Sequence, residues 1–246
     1  MPSFLQRHPF AVEAFFESSL VLAFAVPKDE LQPLIPPRLE LDTLHDTHAF
    51  LAVAMVETRD LRPRGFPRWL GQDFFLIGYR IFVRYTDPAG RRMRGLYILG
   101  SQTDKRRMAW FGNLFTRYQY STIAVTDNTE NGLRRIAAPR SGFEVTVATG
   151  PGDVPLPSHS PFCDWRETRR FAGPLPFTFT VDTQAREVLI IEGVRQHWIP
   201  TPVQVVAHRV PFLDALKLTG AVLANAFAVQ HVPYMWKKGR VDRWDR

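Results

Sequence analysis

Cysteine is almost absent from this chain of 246 residues: Cys163 stands alone. No intrachain disulfide can form, and a reducing compartment, the cytoplasm, is the expected setting. Long apolar runs are missing as well. A bilayer span needs roughly 18 or more unbroken apolar residues, and the stretches 20–26 and 218–229 fall short of that. Glu13 and Glu17 interrupt the N-terminal apolar run, and no small-residue cleavage site follows it, so a signal peptide is not expected. Lysine occurs only at positions 28, 105, 217, 237 and 238, so the net charge of +7 is carried almost wholly by arginine. The basic clusters (59–68, 91–94, 105–107, 166–170 and 237–246) are dispersed rather than gathered on one helix. With no zinc-finger spacing, ribonucleoprotein motif or basic heptad beside them, a nucleic-acid partner is not expected. Gly-x-Ser-x-Gly, a phosphate loop and Gly-x-Gly-x-x-Gly are all lacking, so hydrolase and nucleotide-binding readings have no support. Nor is there an internal repeat or a Gly/Ser linker, which points to one domain over 1–246.

What is present is a globular composition, 45% hydrophobic and 22% charged. Most of the length reads as strands rich in β-branched and aromatic residues: 48–58, 74–85, 94–101, 118–126, 142–149, 176–182, 186–198 and 202–210. Turn residues at 87–90 and 127–132 mark hairpins. Three segments read as helix. Residues 27–35 open on Pro27 and stop at Pro36-Pro37, 104–118 space Met108, Phe111 and Phe115 helically, and 211–229 carry a broad apolar stripe. Strands in series with few helices predict an α+β fold, an antiparallel barrel or sandwich with helices packed outside. The Pro- and Gly-rich stretch 139–176 reads as a long excursion.

Three groupings could carry chemistry. Asp42, His45, Asp46 and His48 crowd one short stretch, but their spacing matches no zinc motif, and a polar turn is the expected role. Cys163 near His159 could form a thiol–imidazole pair, although a lone cysteine is more often simply buried. The adjacent lysines Lys237 and Lys238 could lower one another's pKa and activate an amine. Their place in a charged tail, KKGRVDRWDR, favours solvated side chains instead.

Residues 26–42 (VPKDELQPLIPPRLELD) resemble the opening signature of the acetoacetate-decarboxylase-like superfamily, in particular its bacterial branch of uncharacterised proteins. The likeness continues through 74–83, 95–118 and 210–225. It implies a β-barrel or cone of antiparallel strands enclosing a small-molecule cavity. Carried over residue by residue, the decarboxylase site is replaced throughout. The lysine pair of the family falls on Phe115 and Thr116, and its two cavity glutamates on Leu76 and Leu51. Its substrate-binding arginine falls on Glu17 and its pocket tyrosine on Asn113. Without an amine on the cavity floor, no imine forms and decarboxylation by that route is not expected.

Period-two alternation adds two candidates. Phe74, Leu76, Gly78, Arg80 and Phe82 share one strand face. Arg80 is expected either to reach toward the cavity, where it holds an acid group of a ligand or pairs with Glu17, or to sit at the barrel mouth in a structural ion pair. Tyr97 is a candidate hydroxyl donor, or a packed core tyrosine. The ligand-binding candidates are thus Glu17, Leu51, Leu76, Arg80, Tyr97, Asn113, Phe115 and Thr116. The expected function is non-covalent binding, or transformation, of a small, mostly apolar organic molecule such as a keto acid, with no metal, cofactor or membrane partner. The contrasting reading is a non-enzymatic protein whose barrel is filled and whose surface binds a partner, and a homo-oligomer is compatible with either.

Overall fold

The computed structural model describes residues 5–150, 152–173 and 175–244. Sheet dominates it, with four short α-helices: α1 (Lys28–Leu31), α2 (Arg106–Phe115), α3 (Trp165–Phe171) and α4 (Pro211–Ala215). Seven strands of the larger, eleven-stranded sheet carry the architecture. They are β1 (Val12–Pro27), β2 (His48–Pro63), β3 (Gln72–Thr86), β4 (Arg92–Thr103), β5 (Phe177–Asp182), β6 (Glu187–Arg195) and β7 (Val222–Trp236). Each pairs with the next, and β7 pairs with both β6 and β1, so the hydrogen-bonded path returns to its first strand. An odd number of strands cannot alternate direction around such a path. The parallel joint falls between β4 and β5, where Phe177 lies against Gly95.

Alternation gives the sheet two unlike faces. On one, Leu20, Leu22, Leu51, Val53, Met55, Ile77, Tyr79 and Ile81 are buried against a second, four-stranded antiparallel sheet formed by Thr126–Glu130, Leu133–Ala138, Phe143–Ala148 and Val205–Arg209. Ile136, Phe143, Val145 and Val147 come from that smaller sheet and complete the same core. Fully burying one such side chain contributes about 1.5–3 kcal/mol. The other face of β1–β4, which carries Phe16, Ala52, Ala54, Leu76 and Arg80, bounds a cavity.

The loop before β2 is tied down by charge. Asp42 is fully buried, and its two oxygens accept from Arg84 Nε and Arg94 Nε, each at 2.6 Å. Arg94 also donates to the Phe171 carbonyl at 2.7 Å and lies 4.9 Å over the Phe171 ring. One carboxylate therefore holds the excursion that contains α3 against the sheet.

Several sequence expectations need correction. The helix expected over 211–229 ends at Ala215. Lys217 adopts a left-handed conformation, and the Thr219 and Gly220 amides donate to the Glu30 carboxylate. From Val222 the chain is a strand paired with β1. The stretch 118–126 is not one strand: Tyr120–Thr122 is a short strand, and Thr126 opens the next one, Thr126–Glu130. Residues 237–244 are not a free tail: Arg240–Arg243 pairs with β6, and Lys237 Nζ lies 3.0 Å from Glu192. Positions 245 and 246 lie outside the described residues. Asp42, His45, Asp46 and His48 do not converge, since each meets a different partner. Cys163 is exposed, and Glu167 and then Asp164 beside it push its thiol pKa up, the reverse of an activated pair. Among the described residues, no helix is long and apolar enough to cross a membrane.

Candidate functional site

The cavity has a volume of about 460 Å³ and is lined mainly by apolar side chains, among them Phe16, Val21, Ala52, Ala54, Leu76 and Phe227. Small residues on β2 (Ala52, Ala54) leave the space, while aromatic residues of β1, β3 and β7 wall it. Exposed Phe10, Phe66 and Leu70 stand at its mouth. Among the described residues, no lysine, aspartate or glutamate lines it; its charged groups are Arg62, Arg80, Arg107 and Arg195. Arg62 is neutralised by Glu13 and Asp60, and Arg107 lies at the exposed end, 5.6 Å from the Phe111 ring.

Arg80 is different. It lines the cavity and is only partly accessible, and its Nε has no hydrogen-bond partner among the described residues. Desolvation lowers its pKa from the ordinary arginine value, offset in part by the phenols of Tyr234, Tyr120 and Tyr118. A guanidinium nevertheless stays charged in a protein. The space for it comes from the strand itself: a Cβ on Gly78 would lie 3.1 Å from Arg80 Nε and 3.1 Å from its Nη2. The guanidinium folds back over this position, and a side chain there would push it aside by a few tenths of an ångström.

Three tyrosines surround this charge. Burial raises the pKa of Tyr120 to about 12 and that of Tyr118 further, so both phenols are neutral donors near neutrality. Tyr234 stacks on Phe16 with ring centroids 4.7 Å apart, and its hydroxyl packs where a side chain on Gly193 would stand. Arg195, at the end of β6, lies opposite Tyr234 in register and stacks 4.8 Å from the Trp198 ring. Burial lowers the Arg195 pKa too, with the Tyr234 phenol as its compensating partner. Among the described residues, Trp198 Nε1 and His8 Nδ1 on the wall also lack partners.

The structure distributes the sequence candidates unevenly. Leu76, Arg80, Phe115 and Thr116 line the cavity. Thr116 caps α2, and its hydroxyl donates to the Gly112 carbonyl at 2.7 Å, so that proton is already committed. Leu51 is on the opposite face, fully buried in the core between the sheets, because a one-residue offset reverses the side a strand residue faces. Its neighbour Ala52 is the one that faces the cavity. Tyr97 also packs on that core, where burial raises its pKa. Glu17 sits at a register shift between Phe16 and Ser18 and turns away to a neighbouring polar hollow, 3.3 Å from His231. It is not the partner of Arg80. Asn113 is exposed, yet it fixes the cavity wall: its side chain donates to the Tyr120 carbonyl and accepts from the Tyr120 amide.

Sequence reasoning passed over Arg195, Tyr118, Tyr120, Tyr234 and His8. A usable signal was the period-two pattern Tyr234-Met235-Trp236, which was hidden by the helix assigned before it and the charged residues after it.

Comparison with known proteins agrees with this geometry. A family model described as DUF2071, uncharacterized conserved protein, matches residues 14–219. No curated protein matches the chain. Among solved structures, acetoacetate decarboxylase from Legionella pneumophila is similar at 13% identity with a TM-score of 0.59, covering 95% of this chain and 87% of that one. An acetoacetate decarboxylase-like enzyme from Sphingomonas wittichii RW1 gives 14% and 0.58, covering 98% and 95%. The enduracididine biosynthesis enzyme MppR, complexed with pyruvate, gives 10% and 0.55, covering 95% and 90%.

Proposed function

The chain belongs to the DUF2071 family and has the acetoacetate-decarboxylase-like fold, and from that premise we propose that it binds a small, mostly apolar organic acid, keto acids included, without forming a covalent bond to it. The observation that carries this reading is Arg80, a desolvated cation with no carboxylate partner among the described residues, on the wall of a mainly apolar cavity. Removing a charge from water costs several kcal/mol unless a counter-charge offsets it. A ligand carboxylate supplies that counter-charge, and the planar guanidinium suits it through two parallel hydrogen bonds. The apolar walls take the rest of the molecule.

Supporting arguments come from three directions. The volume falls in the range of about 300–1,000 Å³ typical of small-molecule pockets, which disfavours the reading of a filled interior with only a surface role. We read the closed path of strands β1–β7 as the wall of a barrel or cone around that volume, one domain over the chain. Pyruvate, a keto acid, occupies MppR, a protein of similar fold. An imine route has no amine to start from, since no lysine lines the cavity among the described residues. Any transformation of the ligand would then rest on Arg80 polarising a carbonyl and on the neutral phenols of Tyr118 and Tyr120 giving a hydrogen bond or a proton.

The test is calorimetric titration of octanoate and 2-oxooctanoate into the purified protein, after organic extraction of whatever it carries. Saturable binding of either acid, with octanol silent, is the expected result. An absence of binding by both acids contradicts the reading.

A further inference from the structure

Arg80 is not the only cation on this cavity without a carboxylate partner among the described residues. Arg195 also lines it, and among the described residues its charge meets only the Tyr234 phenol and the faces of Trp198 and Tyr234, at 4.8 Å and 5.9 Å. Both guanidiniums sense the same phenol, Tyr234. They nevertheless approach it from different walls. Along the closed strand path, β3, which carries Arg80, and β6, which carries Arg195, are three steps apart one way and four the other. No two strands of that path can be further apart. Two like charges therefore line one mainly apolar cavity from strands on opposite sides of that path.

A ligand with a single acid group leaves one of these cations uncompensated, and the two repel across a poorly screening interior. The donor set extends past the guanidiniums, since Trp198 Nε1 beside Arg195 lacks an acceptor as well. The Arg195 guanidinium lies over the Trp198 ring and bonds the Tyr234 phenol, and its planar fork has further donors that a carboxylate can take.

We infer that the cavity takes a two-headed acid, a dicarboxylate with an apolar body, one carboxylate on Arg80 and the other on Arg195. This rests on the reading of Arg80 as an acid anchor and specifies the ligand further.

The experiment titrates a series of straight-chain dicarboxylates, succinate to sebacate, each against the monocarboxylate of equal carbon number. In the unmodified protein one chain length should bind at least tenfold more tightly as the diacid than as the monoacid. Arg195→Met should erase that preference, the diacid binding no more tightly than its monoacid in the same variant. If Arg195→Met fails to fold, Arg195→Lys asks the same question: a point charge without the planar fork should reduce the preference, and an unchanged preference overturns the inference. Equal affinity of diacid and monoacid at every length, with the monoacid still lost in Arg80→Met, overturns the inference and leaves the Arg80 reading standing. A diacid preference that survives Arg195→Met overturns it too. No binding of any acid removes both.

Discussion

His8 shows how a single side chain in the cavity wall couples stability to pH. It is 8% exposed, and burial lowers its pKa to about 4, with backbone groups of His8 and Lys237 opposing part of the shift. In the folded chain the ring is therefore neutral, while in the unfolded chain it titrates near 6.5. Between these values the unfolded state binds more protons. The stability contribution is complete above pH 6.5, is lost as pH falls through that window, and declines no further below about 4. The whole effect is at most about 3 kcal/mol. Urea unfolding at pH 7 and pH 4.5 should show unmodified protein losing about 2 kcal/mol more than His8→Gln. Equal losses in the two proteins would remove His8 from the acid response. At this scale the sequence was partly readable. Arg80 and Leu76 followed from alternation along one strand, with Gly78 making room between them. Glu17 was not readable, because a register shift at Phe16/Ser18 turns it outward, and nothing in the residue types announces such a shift. Leu51 failed for the related reason that an offset of one position reverses a face.

Elements were legible where punctuation was strong. The Asp87–Gly90 turn between β3 and β4 closes as expected, with the Gly90 amide donating to the Asp87 carbonyl. Residues 222–229 were not legible: VLANAFAV is apolar on both faces once β7 packs within the sheet, and such a run reads equally as a buried helix. What decides it is the long ladder with β1, a contact between distant parts of the chain. The excursion at 152–173 was equally hard to place from local pattern, since its anchor is Asp42 acting through Arg94. Asp42→Asn leaves two arginines without their counter-charge. Denaturant unfolding should show a loss of about 3–5 kcal/mol, the usual cost of removing one partner from a buried ion pair. Limited proteolysis should gain cleavage within 152–173 at the same time. A variant with unchanged stability and an unchanged digest would mean that the excursion is held by its apolar contacts alone, chiefly Phe162 and Phe171 against Phe50.

For the whole molecule, fold and chemistry separate. The fold is that of acetoacetate-decarboxylase-like proteins, while the chemistry rests on what lines this chain's cavity: arginines, phenols and indoles, with no lysine among the described residues. Incubation with acetoacetate and borohydride should therefore leave the intact mass unchanged, because reductive trapping needs an amine poised against the ligand. A stable adduct on any of the five lysines would show that an amine reaches the cavity after all. The function rests most heavily on one cation, and Arg80→Met tests it through two quantities measured on the same protein. A structural arginine and a ligand anchor predict opposite pairs of results. As an anchor without a counter-charge, Arg80 contributes nothing to the stability of the empty protein, and methionine fills its volume without the desolvation cost. The melting temperature of ligand-free Arg80→Met should equal or exceed that of unmodified protein. Its affinity for octanoate should fall by about 2–3 kcal/mol, roughly 30- to 150-fold, the cost of losing a charge-assisted hydrogen bond. A lowered melting temperature with octanoate affinity unchanged would make Arg80 a structural residue and contradict the proposed function.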